Sequence, residues 1–164
     1  MVGKTLETIC GGLRFLLGLL TALLAIPVSM QVISRYTGII PTYLWTEELA
    51  TFIFVWVVMI GSMVAVWDRT HFDVVITPDA TSPLGLLMQK GIVYICVMVF
   101  AALFAWYGIE YAKVGSIQSS VMMRANMLWT YITVPLAGVV WAAFSAYRLY
   151  EAVAVYRQSR GAVA

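Results

Sequence analysis

The chain has 164 residues, of which 62% are hydrophobic and only 11% are charged, and its mean hydropathy is +0.90. Soluble domains carry about 25% charged residues, so this composition is typical of a membrane protein and argues against a soluble domain. A net charge of +2 is too small to indicate a nucleic-acid partner. Cys10 and Cys96 have no paired spacing, which predicts two free thiols without a disulfide framework or metal site.

The first thirteen residues predict a short amphipathic helix at the membrane interface. Apolar residues recur there at spacings of 4, 3 and 4, which places them on one helical face: Val2, Leu6, Ile9 and Leu13. Gly11–Gly12 is the point at which this helix could break. The apolar run that follows is too long for a signal peptide, and we interpret it as a retained first span.

Four segments without charged residues predict four membrane spans. A run of about 20 apolar residues, rising 1.5 Å per residue, crosses a hydrocarbon core of roughly 30 Å. We therefore predict an all-α integral membrane protein with one domain, residues 1–164. Its spans are predicted at about 15–34, 49–67, 91–109 and 125–147.

Lysine and arginine predict the orientation of these spans. The N-terminus, the loop after the second span and the C-terminal tail hold seven basic residues: Lys4, Arg14, Arg69, Lys90, Arg148, Arg157 and Arg160. The other side holds three: Arg35, Lys113 and Arg124. Both termini are therefore expected in the cytoplasm.

The stretch YLWTEE, residues 43–48, opens the second span with two adjacent carboxylates. Thr46 could cap the helix, and acids in the first turn are favoured by the helix dipole. Arg35 ends the first span on the same side, so we expect an ion pair with Glu47 or Glu48 that fixes the two helices. Neighbouring helical residues point about 100° apart, so at least one of these acids should face away from Arg35. A contact with a partner subunit and a catalytic or ion-binding pair are the alternatives.

The second span has a small face and a bulky face. The small face, with Val58, Ser62 and Ala65, is expected to pack inside the chain. The bulky face, with Trp56 and Met63, is expected to meet a partner subunit, and exposure to lipid is the alternative. In the fourth span Gly138, Ala142 and Ala146 repeat every four residues, which is another small face.

Asp, Glu, Lys, Arg and His are missing from all four predicted spans. Proton relays and ion carriers need such groups at membrane depth, and a haem anchor needs axial ligands, yet His71 is the only histidine and lies in a loop. No catalytic triad or phosphate-binding loop is evident. We therefore predict a subunit that performs no chemistry and binds no cofactor.

Several short motifs follow one another in a distinctive order along the chain. They are Arg35-Tyr36, WTEELA at 45–50, Phe54-Val55-Trp56, Gly61-Ser62, His71-Phe72-Asp73-Val74, Gln118-Ser119-Ser120 to Leu128-Trp129, and Pro135 to Gly138. These motifs resemble the small membrane (Q, or DctQ-type) subunit of tripartite ATP-independent periplasmic (TRAP) transporters. The similarity runs through nearly the whole chain, and the WTEE element is its most specific part.

This resemblance implies a role in the bacterial inner membrane. Such subunits widen the fixed scaffold of a large multi-span subunit, which carries the substrate and sodium sites. A periplasmic binding protein delivers the substrate, usually an organic acid. Membrane lipid is the remaining expected partner. The rival functions are a membrane anchor of a redox enzyme and a self-sufficient small transporter.

The remaining candidates for structural or partner contacts are a loop cluster after the second span and the six tryptophans. His71 and Asp73 could contact the large subunit or belong to a solvated loop cluster with Asp68 and Arg69. Tryptophans near span ends are typical of an interfacial aromatic belt; they are Trp45, Trp67, Trp106 and Trp129. Trp56 and Trp141 lie at mid-span, where a belt does not explain them and exposure to lipid is the default interpretation.

Overall fold

A computed structural model describes residues 2–37, 41, 43–68 and 83–161. These ranges form the helices α1 (Val2–Thr37), α2 (Leu44–Asp68), α3 (Pro83–Ile117), α4 (Leu128–Tyr131) and α5 (Thr133–Gly161). Four helical stretches are long and apolar enough to cross a membrane. Three of them lie in α1, α2 and α3, and the fourth runs through α4 and α5. The chain is therefore an all-α, multi-pass membrane protein with four spans.

The helices extend beyond the predicted spans. At 1.5 Å per residue, the 36 residues of α1 measure about 54 Å, compared with roughly 30 Å for a hydrocarbon core. The 35 residues of α3 give a similar length. Both helices are therefore longer than the hydrocarbon core is thick, and some of their turns lie outside it.

The separate interfacial helix expected at residues 2–13 is not confirmed. Helix α1 continues through Gly11–Gly12 without interruption. Leu6 and Leu13, which belong to the expected membrane-facing side, pack against a buried cluster that includes Cys10. The rest of that cluster comes from α2 and α5, so the first turns of α1 lie against protein.

The helices pack in the spatial order α1, α2, α5, α3. The principal contacts join α1 to α2, α2 to α5, and α5 to α3. Helices α2 and α5 are therefore central, and α1 and α3 flank them. Large apolar side chains remain exposed on the flanking helices, such as Phe15 on α1 (76%) and Trp106 on α3 (73%).

Small residues allow α3 and α5 to approach closely. Five of them recur on α3 at spacings of 4, 3, 4 and 3: Ala101, Ala105, Gly108, Ala112 and Gly115. A Cβ added to Gly108 would lie 2.7 Å from the backbone nitrogen of Pro135, and one added to Gly138 would lie 2.6 Å from that of Ala105. This packing is the close helix contact that small faces permit in membranes.

The connections and contacts define two ends of the helix array. The C-termini of α1 and α3 and the N-termini of α2 and α4 lie at one end, which we call the Glu48 end. The other end holds the first turns of α1, the C-terminus of α2 and the last turns of α5, and we call it the Arg14 end.

Candidate functional site

Glu48, in the second turn of α2, holds the segment between α3 and α4 in place. Its Oε2 atom accepts hydrogen bonds from Ser120 Oγ at 2.5 Å and from the backbone nitrogen of Met123 at 2.8 Å. The backbone nitrogen of Met122 lies 3.0 Å from Oε1 and 3.1 Å from Oε2. Hydrogen bonds to an ionised acceptor are the stronger kind. Glu48 therefore ties this segment to α2.

The segment is a short hairpin, residues 118–127, which we call the 118–127 hairpin. The backbone nitrogen of Ser120 donates to the carbonyl of Ala125 at 2.8 Å. The backbone nitrogen of Met127 donates to the carbonyl of Gln118 at 3.0 Å. Arg124 has a φ of 51°, a left-handed conformation that is uncommon for a residue other than glycine. Within this turn, the successive amides of Met122 and Met123 both reach Glu48, as in the anion-binding nests of other proteins.

The expected ion pair between Arg35 and Glu47 or Glu48 is not formed within the described residues. Ion pairs in these ranges are Arg14–Asp68, Lys113–Glu110 and Arg148–Glu151. Glu48 is occupied by the hairpin, whereas Arg35 and Glu47 line a cavity between α1 and α2. Glu48 bonds to the hairpin and Glu47 borders this cavity, as expected for successive helical side chains that diverge by about 100°.

The expected capping role of Thr46 is also wrong. Helix α2 begins at Leu44, whereas a cap at Thr46 would place its first residue at Glu47. The Thr46 hydroxyl donates to the carbonyl of Tyr43 at 2.7 Å instead of accepting from an amide of the first turn. Glu47 does lie in the first turn of α2, where the helix dipole favours an acid.

The bulky face of α2 does not meet the expectation, whereas Ser62 and Ala65 on the small face are partly buried. The bulky face is the buried one, with Ile60 1% exposed and Met63 fully buried, while Val58 on the small face is 47% exposed. Met63 packs with Ala137 and Trp141 of α5, and the small Ala137 leaves room for it. Trp56 is half-buried, and its Nε1 donates to the carbonyl of Trp129 at 3.0 Å. The face expected to meet a partner is therefore used inside the chain.

The tryptophans divide between the surface and the core. Trp45, Trp106 and Trp129 are exposed near the Glu48 end, as an aromatic belt requires. Trp67 is buried, with its ring 5.0 Å from that of Phe144. Trp141 is also buried, against Phe104. The belt interpretation is therefore wrong for Trp67, and lipid exposure is wrong for Trp141.

Charged residues also join the helices at the Arg14 end. The Arg14 guanidinium donates to Asp68, which ties α1 to the end of α2. Arg148 of α5 donates to the carbonyl of Trp67 at 2.8 Å and lies 4.4 Å above its ring. His71 and Asp73 lie outside the described residues, so their contact with a partner stays a prediction.

The carboxylates of Glu48 and Asp68 hold helices and the hairpin together, and neither is left free to react. Glu48 is saturated by hairpin donors, and Asp68 is paired with a guanidinium. Within the described ranges, His, Cys, Asp and Glu form no group of three or more that could hold a metal ion.

The positioning role of Glu48 could not be found from the sequence, because Ser120 is 72 residues away from it.

Known proteins place this chain in a transporter family. The sequence profile of the DctQ component of tripartite ATP-independent periplasmic transporters matches residues 24–155. A relative from Oleidesulfovibrio alaskensis, the isethionate TRAP transporter permease protein DctMQ, is 26% identical over 117 residues. That match covers 67% of this chain but only 18% of the relative. The chain therefore belongs to the DctQ component family of TRAP transporters, and it is a transporter component rather than an enzyme.

Proposed function

We propose that the chain is the small subunit of a sodium-coupled TRAP transporter in the bacterial inner membrane. In this role it scaffolds a large membrane subunit that takes up an organic acid from a periplasmic binding protein. Family membership supports the transporter role. The isethionate in the relative's name makes a small organic anion the substrate class that we propose.

The surface that we propose for the large subunit lies on α1. Small residues recur there at spacings of 7, 4, 3 and 4, which keeps them on one face: Gly11, Gly18, Ala22, Ala25 and Ser29. All five are exposed, and a Cβ added to Gly11 or Gly18 would meet nothing within 4 Å. Faces of this kind let membrane helices approach closely. This uncovered small face is the observation that carries the scaffold proposal.

An Ala22→Trp substitution tests this surface. The indole would keep a second helix at a distance, so we expect about tenfold less large subunit to co-purify with the tagged chain in mild detergent. Ala102→Trp is the matched control, because Ala102 is also an exposed alanine, on α3. Normal recovery with Ala22→Trp, together with loss for Ala102→Trp, would place the partner on α3 and refute the assignment.

The orientation that we propose places both termini in the cytoplasm and the Glu48 end outside. The seven-to-three distribution of basic residues supports it. The test is cysteine labelling with a membrane-impermeant reagent in a chain that lacks Cys10 and Cys96. A cysteine at Thr42 is expected to react from outside, and one at Thr81 only after the inner face is opened. The opposite pattern would reverse the topology.

A further inference from the structure

A cavity of about 240 Å³ lies between the last turns of α1 and the first turns of α2. Its polar lining comes from both helices and the connection between them: Gln31, Ser34, Arg35, Tyr43, Thr46 and Glu47. Arg35 and Glu47 thus share one cavity with opposite charges. Neither belongs to an ion pair within the described ranges of the chain.

The cavity wall also holds polar groups that lack a partner. Ser34 is only 7% exposed, and its hydroxyl makes no hydrogen bond within the described residues. Gln31 Nε2 is likewise buried without an acceptor there. Buried polar groups in folded proteins are nearly always hydrogen-bonded. An occupant with polar atoms next to Ser34 and Gln31 would remove this deficit after small rotations of the two side chains.

The position of the cavity indicates what the occupant is. Ser34 ends the charge-free part of the first span, and the charge-free part of the second starts just after Glu48. Lipid headgroups occupy this depth, immediately outside the hydrocarbon core. A guanidinium binds phosphate well, and a carboxylate binds ammonium. The cavity therefore combines the two charges that a zwitterionic headgroup requires.

We propose that this cavity binds the headgroup of phosphatidylethanolamine. In that complex the phosphate faces Arg35 and the ammonium faces Glu47. The lipid then takes the place of the direct ion pair that the sequence suggests between these residues, and it links α1 to α2. The site is independent of the proposed contact with the large subunit on α1.

Native mass spectrometry of the full chain tests this site. The chain is purified in detergent, stripped of lipid, and titrated with phosphatidylethanolamine or with phosphatidylglycerol, which has the phosphate but no ammonium. We expect preferential binding of phosphatidylethanolamine. Glu47→Gln should weaken that binding about tenfold and leave phosphatidylglycerol unaffected, because only the ammonium partner is lost. Arg35→Gln should weaken both lipids.

Matched controls and competitors complete the experiment. Glu110→Gln and Lys113→Gln remove charges from an exposed pair on α3 and should leave both lipids bound as in the parent. Equal binding of the two lipids, or no effect of Glu47→Gln and Arg35→Gln, would overturn the proposal. Displacement of phosphatidylethanolamine by an equal concentration of soluble phosphoethanolamine would also overturn it, because the site would then serve a water-soluble zwitterion. None of these readouts depends on the large subunit.

Discussion

Gly138→Ala is expected to destabilise the folded chain by about 3 kcal/mol, near the upper end of the usual overpacking cost. The added methyl would lie 2.6 Å from the backbone nitrogen of Ala105 and 2.8 Å from the carbonyl oxygen of Ala101. Both atoms belong to the backbone of α3, so no side chain can rotate away. The helices must separate, and they would lose contacts along their whole interface. The fraction of monodisperse protein after heating in detergent measures this loss.

Gly12→Ala is the matched control for this substitution. Gly12 lies inside α1, and an added Cβ meets nothing within 4 Å. Alanine has the higher helix propensity, by about 1 kcal/mol, so the control should be neutral or slightly stabilised. Equal heat resistance of the Gly138→Ala variant and the parent would contradict the close α3–α5 contact.

Glu48→Ala is expected to release the 118–127 hairpin. The substitution removes the acceptor for the Ser120 hydroxyl and for the amides of Met122 and Met123. Donors that lose an ionised acceptor must find water, and the strained turn at Arg124 loses its support. Hydrogen exchange of residues 118–127 should accelerate about tenfold or more, because these amides open locally without unfolding the helices.

Glu110→Gln provides the control for the hairpin experiment. Glu110 is also a carboxylate near the Glu48 end, but it is 66% exposed and pairs with Lys113 on its own helix. Its removal should leave exchange in the hairpin unchanged. If Glu48→Ala also left that exchange unchanged, the carboxylate would not be what holds the hairpin.

The sequence predicts the number and class of the spans because each depends on local composition. Runs of about 20 apolar residues indicate helices in hydrocarbon regardless of their neighbours. The first turn around Glu47 is predictable for the same reason, since an acid near a helix start is a local preference. The small face at Gly138 also indicates close packing, which the contact with Ala105 confirms. The 4-3-4-3 series of small residues on α3, beginning at Ala101, could have been found in the same way.

Contacts between distant residues are not predictable from such local patterns. Glu48 could pair with Arg35 or with another group, and only the folded chain brings Ser120 within 2.5 Å of it. The buried face of α2 depends on which helix lies next to it. Met63 is buried because α5 offers the small Ala137 at that level, and nothing within α2 contains this information. A helix that is apolar all round has no polar face, so its sequence does not indicate which face is buried against the other helices.

The charged contacts between helices share one structural feature: they lie near the two ends of α2. Glu48 fixes the hairpin at one end, and Arg14 and Arg148 join α1, α2 and α5 at the other. The apolar middle of the array is held by packing around Met63 and Trp141. The flanking helices α1 and α3 keep large apolar side chains exposed and available to partners, which fits the scaffold role that we propose.

Reconstitution into proteoliposomes tests the scaffold role most directly. Uptake is compared among vesicles that contain the large subunit with this chain, the large subunit alone, and this chain alone, each with the binding protein and the substrate of the complete transporter. We expect uptake only when both membrane subunits are present, and none by this chain alone. Uptake by this chain alone, or full uptake by the large subunit without it, would contradict the scaffold role.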